Sequence, residues 1–294
     1  MLNIKLTHKT LIANTTLFTV LFLLIIPCKE NIAAAQDKMN PEEIAAKHLE
    51  SIGSVESRLP ERSRIASGVS LMTLKTGGSG QAGGSAVIAS KDDNIIINSD
   101  FESPEYPFER MSYDGKKLVV RQFKPGGRSP IGEFFLSYDE IFKEGLIGGA
   151  LSSAWAFLHL DERKPKLKYE GTDKIDGKQV YKLKYQPRKS SDLKIRLYFD
   201  AETFRHVRTE YERTVAAQMG AAPGTSISQR ETRFKVVENF ANFATIGGLT
   251  LPQKYTIEYS LFSRNSPLEI EWVFDLSKFE FNQPVNIEEF REEK

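Results

Sequence analysis

The sequence predicts an α+β chain, mainly β: a large curved antiparallel sheet, an N-terminal helix, and a central apolar helix plugging the concave face. Three observations carry this. From Ile65 to Phe281 apolar and polar residues alternate in run after run, the mark of strands with one apolar and one wet face. Short turns rich in Gly and Asp join the runs, so neighbours are antiparallel. One stretch breaks the pattern: Tyr138 to Leu160, YDEIFKEGLIGGALSSAWAFLHL, the longest apolar run after the N-terminus.

The N-terminus has the layout of a secretory signal. Lys5 and Lys9 precede the apolar core Leu17 to Ile26, and Ala33-Ala34-Ala35 supplies the small-residue cleavage pattern. Residues 1–35 are then a signal peptide and 36–294 a single domain. The apolar core is short for an uncleaved anchor, which needs about 20 residues. Cys28, the only cysteine, follows it after Ile25, Ile26 and Pro27. A lipid-attachment motif uses small residues there, so lipidation at Cys28 is the lesser alternative. The mature chain then has no disulfide or cysteine metal site. Removing the signal takes the net charge from +1 to about −1, and no basic cluster points to nucleic acid. No second stretch reaches spanning length, so no membrane span is expected in the mature chain.

Asn40-Pro41-Glu42-Glu43 opens a short helix: Asn40 at the N-cap, Pro41 at the first position, and Gly53 beyond the end. Ile44, Ala45, His48, Leu49 and Ile52 line one face. From Ile65 the period becomes two. Lys75 to Ala86, KTGGSGQAGGSA, lacks the Gly-Lys-Ser/Thr ending of a phosphate loop and is expected to connect two strands of a hairpin. Asp114-Gly115, Asp176-Gly177 and Gly247-Gly248 mark further turns. Val215 to Ser226 is expected to be a loop, and residues after Pro284 a charged tail. The cleanest alternation is Leu268, Ile270, Trp272, Phe274 and Leu276 against Glu269, Glu271 and Asp275. Roughly ten or eleven strands are implied, and a sheet that large must curl.

The central stretch is expected to be helical. Phe142, Leu146, Ala150, Ala154 and Leu158 form an i, i+4 row, with Ile147, Leu151 and Trp155 beside it. Ser137 or Asp139 suits the start, and Pro165 blocks continuation. Gly145, Gly148 and Gly149 each cost about 1 kcal/mol relative to Ala and leave room for a kink or movement. Such a helix either completes the core or covers an apolar cavity as a lid.

Catalytic motifs are weak. Ser191 to Lys194 and Lys75 to Gly77 match fragments of the penicillin-recognising acyl enzymes, but in reversed order and without the Ser-Asp-Asn element. His48, His159 and His206 lie in different elements with no metal spacing. No cofactor and no enzyme activity are expected.

The order of elements, with LKYEGTDKIDGKQVYKLKYQP, DLKIRLYFDAETFRHVRTEYE, GLTLPQKYTIEY and FEFNQPV, resembles the LolA-like periplasmic lipoprotein carriers and outer-membrane lipoprotein-sorting proteins. The Asp-x-x-Thr turn is Asp200 to Thr203, and the Gly-Leu-x-Leu-Pro segment is Gly248 to Pro252. The resemblance runs from about Pro41 to Val285. It implies a half-open barrel, an incomplete one with helices over a cavity that takes acyl chains. It also implies a periplasmic location and a lipid or lipoprotein acyl chain as partner. In the carriers an arginine holds the lid shut; the sequence alone does not place it here. A regulatory or scaffolding module that binds an envelope protein is the alternative on the same fold, and an enzyme with an unrecognised site is a third.

The chemistry the residues themselves support is apolar burial. The expected cavity lining is Phe142, Leu146, Leu151, Trp155 and Leu158 from the helix, with Leu197, Phe199, Ile257, Trp272 and Phe274 from the sheet. Burial is worth about 0.8 kcal/mol per CH₂ of an acyl chain, enough to bind without a catalytic group. The same residues could equally fill the space by packing on one another. A monomer is the working expectation.

Overall fold

The computed structural model describes residues 39–59, 63–189, 191–216, 231–263 and 267–285. The expected signal peptide with Cys28, most of the 215–226 loop and most of the charged tail lie outside the described residues.

Helix α1 spans Pro41–Ile52. The Asn40 side chain accepts a hydrogen bond from the Glu42 N–H at 3.2 Å, meeting one of the orphan donors of the first turn. The helix buries Ile44, Ala45, His48 and Ile52, the face its spacing marks out. Among the described residues twelve strands follow: β1 Arg64–Thr76, β2 Gly80–Lys91, β3 Asn94–Phe101, β4 Phe108–Asp114, β5 Leu118–Val120, β6 Lys166–Ile175, β7 Lys178–Gln186, β8 Lys194–Asp200, β9 His206–Val215, β10 Thr232–Ile246, β11 Leu249–Phe262 and β12 Leu268–Phe281.

They form one antiparallel sheet in the order β5-β4-β3-β2-β1-β12-β11-β10-β9-β8-β7-β6. The first strand pairs with the last, Met72 opposite Trp272 and Ser70 opposite Phe274. The open edges are therefore β5 and β6, which are consecutive in sequence. The chain can pass from one edge to the other only by crossing between them. Residues 121–165 make that crossing, which places the apolar stretch against the concave face. Alternation does the rest: Val236, Phe240, Tyr255, Ile257, Tyr259, Trp272 and Phe274 are all buried.

The crossing differs from the single helix expected over Tyr138 to Leu160. A helix does form, but earlier: α2, Pro130–Ser137, with the Ser129 hydroxyl accepting from the Gly132 N–H at 3.0 Å and Pro130 in the first turn. After it come single turns only: α3 Glu140–Lys143, a 3₁₀ turn Gly149–Leu151, a 3₁₀ turn Ala156–His159 and α4 Leu160–Arg163. The glycines explain the break. Gly145, Gly148 and Gly149 have φ of 65°, 74° and 50°, a region other residues avoid. A Cβ on Gly145 would sit 1.9 Å from the Ala154 carbonyl oxygen. The segment thus doubles back, and the Ala156 N–H donates to the Gly145 carbonyl at 3.0 Å. Among the described residues no helix is long and apolar enough to cross a membrane.

Candidate ligand-binding site

The site is built from the crossing segment and the concave face beneath it. Nine of the ten expected lining residues belong to one continuous buried cluster: Phe142, Leu146, Leu151, Trp155, Leu197, Phe199, Ile257, Trp272 and Phe274. Leu158 is only partly buried, at the margin of that cluster. The structure brings them together by packing them on one another. Phe142 meets Phe135 edge-on, ring centroids 5.4 Å apart. Trp155 stacks on Phe157 at 5.2 Å and on His206 at 4.7 Å, and Phe199 lies 5.2 Å from Phe157. Phe274 stacks on Tyr255 and Tyr255 on Phe240.

Little space is left between the segment and the sheet. A cavity beside Ala150, His206 and Phe240 has a volume of about 10 Å³, the lower limit for a single water. A second, more open groove lies at the α2 end. There Pro130, Phe134 and Tyr138 face Phe234 of β10 and Tyr259 of β11 across a groove of about 220 Å³. Phe234 pairs with Leu261, Leu261 with Leu268, and Tyr259 with Ile270, so apolar side chains continue from the groove across three strands.

Because regular backbone pairing is lost, the segment is tied down by side chains of α1 and the sheet. Arg64 of β1, 2% exposed, donates from Nη1 to the carbonyls of Ala150 at 2.8 Å and Ser152 at 2.9 Å. The Ser90 hydroxyl of β2 accepts from the Ser153 N–H at 2.9 Å. Glu238 of β10, wholly buried, accepts from the Gly148 N–H at 2.7 Å and from the hydroxyls of Tyr211 and Tyr255, each at 2.6 Å. Trp155 Nε1 donates to His48 Nε2 at 2.9 Å, while His48 Nδ1 donates to the Phe204 carbonyl at 3.0 Å. At the far end Arg163 reaches the Ala154 carbonyl at 3.2 Å and Asp93 at 3.0 Å.

Burial sets the electrostatics. It pushes the Glu238 carboxyl up to about 7, against the opposing hydrogen bonds from Tyr211, Tyr255 and Gly148. It pushes His48 down to about 3 and His206 well below the ordinary range, the nearby His48 adding to the second effect. Glu109, beneath the start of α2 and bonded to Tyr106, is pushed up to about 6 by burial. His48 is thus a neutral core histidine, as its place on the apolar helix face implies. His159 also stays structural, its Nε2 3.3 Å from the Ser153 carbonyl. Among the described residues no cluster of His, Cys, Asp and Glu side chains could hold a metal ion.

Arg64 and Glu238 were not among the expected site residues. Glu238 had a legible signal, since it occupies an inward slot between Val236 and Phe240 where apolar side chains belong. Arg64 had none, since it closes the stretch Ser57 to Arg64, SRLPERSR, whose charges match those of ordinary surface.

No family model matches the sequence, and no curated protein matches it. Among solved structures the chain resembles LolA-like and lipoprotein-sorting proteins in fold. One is an outer-membrane lipoprotein-sorting protein domain from Vibrio parahaemolyticus, 14% identical, covering 85% of this chain and 97% of that one, with a TM-score of 0.45. Another is a LolA superfamily protein from Nitrosomonas europaea, 13% identical, covering 86% and 97%, with a TM-score of 0.45. A DUF1329 family protein from Desulfovibrio piger is 10% identical, covers 86% and 98%, and has a TM-score of 0.40. Likeness this remote leaves ligand and partner to be argued from the chain's own residues.

Proposed function

We propose that the chain is a periplasmic, non-enzymatic carrier or binder of a lipid or lipoprotein acyl group, seen in its closed state. The observation that supports this most is the crossing segment itself. It is apolar on the side facing the sheet, yet it is held by a handful of side-chain bonds rather than by regular secondary structure. Displacing it uncovers an apolar trough between β8 and β12 that water fills poorly and an acyl chain fills well. The groove at the α2 end is the port through which a chain enters. Leu146, Leu151 and Trp155 act as the closed-state filling, and Leu197, Phe199, Ile257, Trp272 and Phe274 as the wall the ligand meets. Arg64 takes the part of the lid-holding arginine, because its guanidinium bridges two carbonyls of the segment.

The test is native mass spectrometry of the mature protein purified gently from the cell envelope, followed by lipid extraction. A bound mass that extracts as lipid supports the carrier function and identifies the cargo class. A clean apo mass, with no uptake of fatty acid or lipopeptide afterwards, refutes it and favours a module that binds an envelope protein.

A further inference from the structure

We infer that Glu238 is a proton-operated latch on the crossing segment, holding it closed when protonated and favouring its release when ionised. This deepens the proposed function, since it names what regulates opening, and it rests on that reading only for the biological use of the movement. The geometry carries it: a wholly buried carboxyl is costly to ionise, and when protonated it donates to one tyrosine hydroxyl, which turns from donor to acceptor, while the Gly148 N–H stays bonded to the other oxygen. Glu238 has no exposed surface. The groups that meet its carboxyl are Tyr211 from β9, Tyr255 from β11 and the Gly148 N–H from the segment. Among the described residues no cation pairs with it. The two tyrosines belong to the sheet and stay when the segment moves. Gly148 belongs to the segment, sits at φ 74° and is followed by Gly149 at φ 50°. Glu238 is therefore the hinge-side anchor, and opening removes its third donor and admits water.

The sign follows from burial. In the closed state the carboxyl is pushed up to about 7. Once open and hydrated it returns toward the ordinary carboxylate value. The closed state thus binds the proton more tightly, and its advantage is fully present at low pH and lost as pH rises through about 7. Over that window the opening equilibrium rises by up to about tenfold per pH unit. Two other groups facing the segment act in the opposite sense. His48 bonds Trp155, His206 lies against it, and both are held neutral by burial, so acidification favours opening through them. Arg64, Glu144 and Arg163 also touch or belong to the segment. A comparison that holds all five constant isolates Glu238.

Hydrogen-exchange protection of residues 145–156, corrected for intrinsic rates, would be measured between about pH 5 and pH 8 in the full chain and in Glu238→Gln, without lipid. Glutamine keeps an acceptor for Gly148 and a donor for one tyrosine but does not titrate. The expected result is a wild-type to variant ratio of opening constants that climbs by up to about tenfold per unit and levels off near pH 7. A ratio that stays flat overturns the latch. In a folded Tyr255→Phe protein, losing a donor that favours the ionised form moves the levelling point to higher pH; an unmoved point also overturns it. A flat ratio in a protein that still takes up palmitate refutes the latch alone. A sloping ratio in a protein that takes up no lipid refutes the carrier function alone.

Discussion

Arg64→Met is the perturbation that most directly tests how the crossing segment is held. Methionine keeps much of the aliphatic length of arginine and removes the guanidinium. Two carbonyls, Ala150 and Ser152, then lose donors at 2.8 and 2.9 Å in a site where Arg64 is 2% exposed. Hydrogen bonds from a charged donor are worth about 1.5–3 kcal/mol each, and relief of the buried charge offsets part of that. The net loss is about 2–4 kcal/mol, which raises the local opening constant roughly 30- to 1,000-fold. Hydrogen exchange with mass spectrometry separates this from general destabilisation. Peptides covering residues 145–156 should lose protection while peptides from β8 and β11 keep theirs. Equal losses in segment and sheet would show that Arg64 supports the whole fold. No loss in the segment would show that its apolar packing alone holds it, and the reasoning from its side-chain ties would fail.

Three other changes have expected outcomes. Gly145→Ala places a Cβ against the Ala154 carbonyl at positive φ and should cost about 2–4 kcal/mol in urea denaturation. Trp155→Ala removes the ring stacked between Phe157 and His206 and leaves His48 Nε2 without its donor, a loss of about 3–5 kcal/mol by the same assay. His48, pushed down to about 3 in the fold, contributes stability that is present above its ordinary value near 6.5 and lost as pH falls below it. The stability difference between the wild type and His48→Gln should therefore shrink by about 1.4 kcal/mol per pH unit below about 6.5. A pH-independent difference would mean that His48 takes up its proton in the fold as readily as in the unfolded chain, and would contradict the burial argument.

Much of the sheet was legible because its signals are local. Asn40-Pro41 opened α1 where expected, and Asp114-Gly115, Asp176-Gly177 and Gly247-Gly248 turned between the strands they were read to join. The Leu268 to Leu276 alternation became β12, with Trp272 and Phe274 inside. The glycine-rich stretch from Lys75 to Ala86 proved mostly strand, with the turn confined to Gly77-Gly78-Ser79. Small residues suit a twisted strand and an open turn alike, so composition did not separate them.

The central segment misled for a physical reason. Its i, i+4 spacing is real, but a segment buried on several sides places apolar residues everywhere, so a period no longer reports a helix. Backbone conformation was decided by Gly145, Gly148 and Gly149. Ser129-Pro130, a capping hydroxyl followed by a first-turn proline, begins α2 ahead of the longer apolar run. The ten lining residues were legible as core, since apolar alternation selects inward positions. Whether inward positions enclose a ligand or each other depends on long-range closure. The ties from Arg64 and Glu238 to the crossing segment join residues 86 to 90 apart in sequence, beyond the reach of a local pattern.

The central claim is that the crossing segment gives way to an acyl chain. It is tested most directly by hydrogen exchange of the wild-type protein with and without saturating palmitate. If the segment opens to admit the chain, protection falls across residues 145–158 and rises or holds on β8, β11 and β12, where Leu197, Phe199, Ile257, Trp272 and Phe274 meet the ligand. Palmitate that fails to bind, or binds without changing protection in the segment, would contradict it.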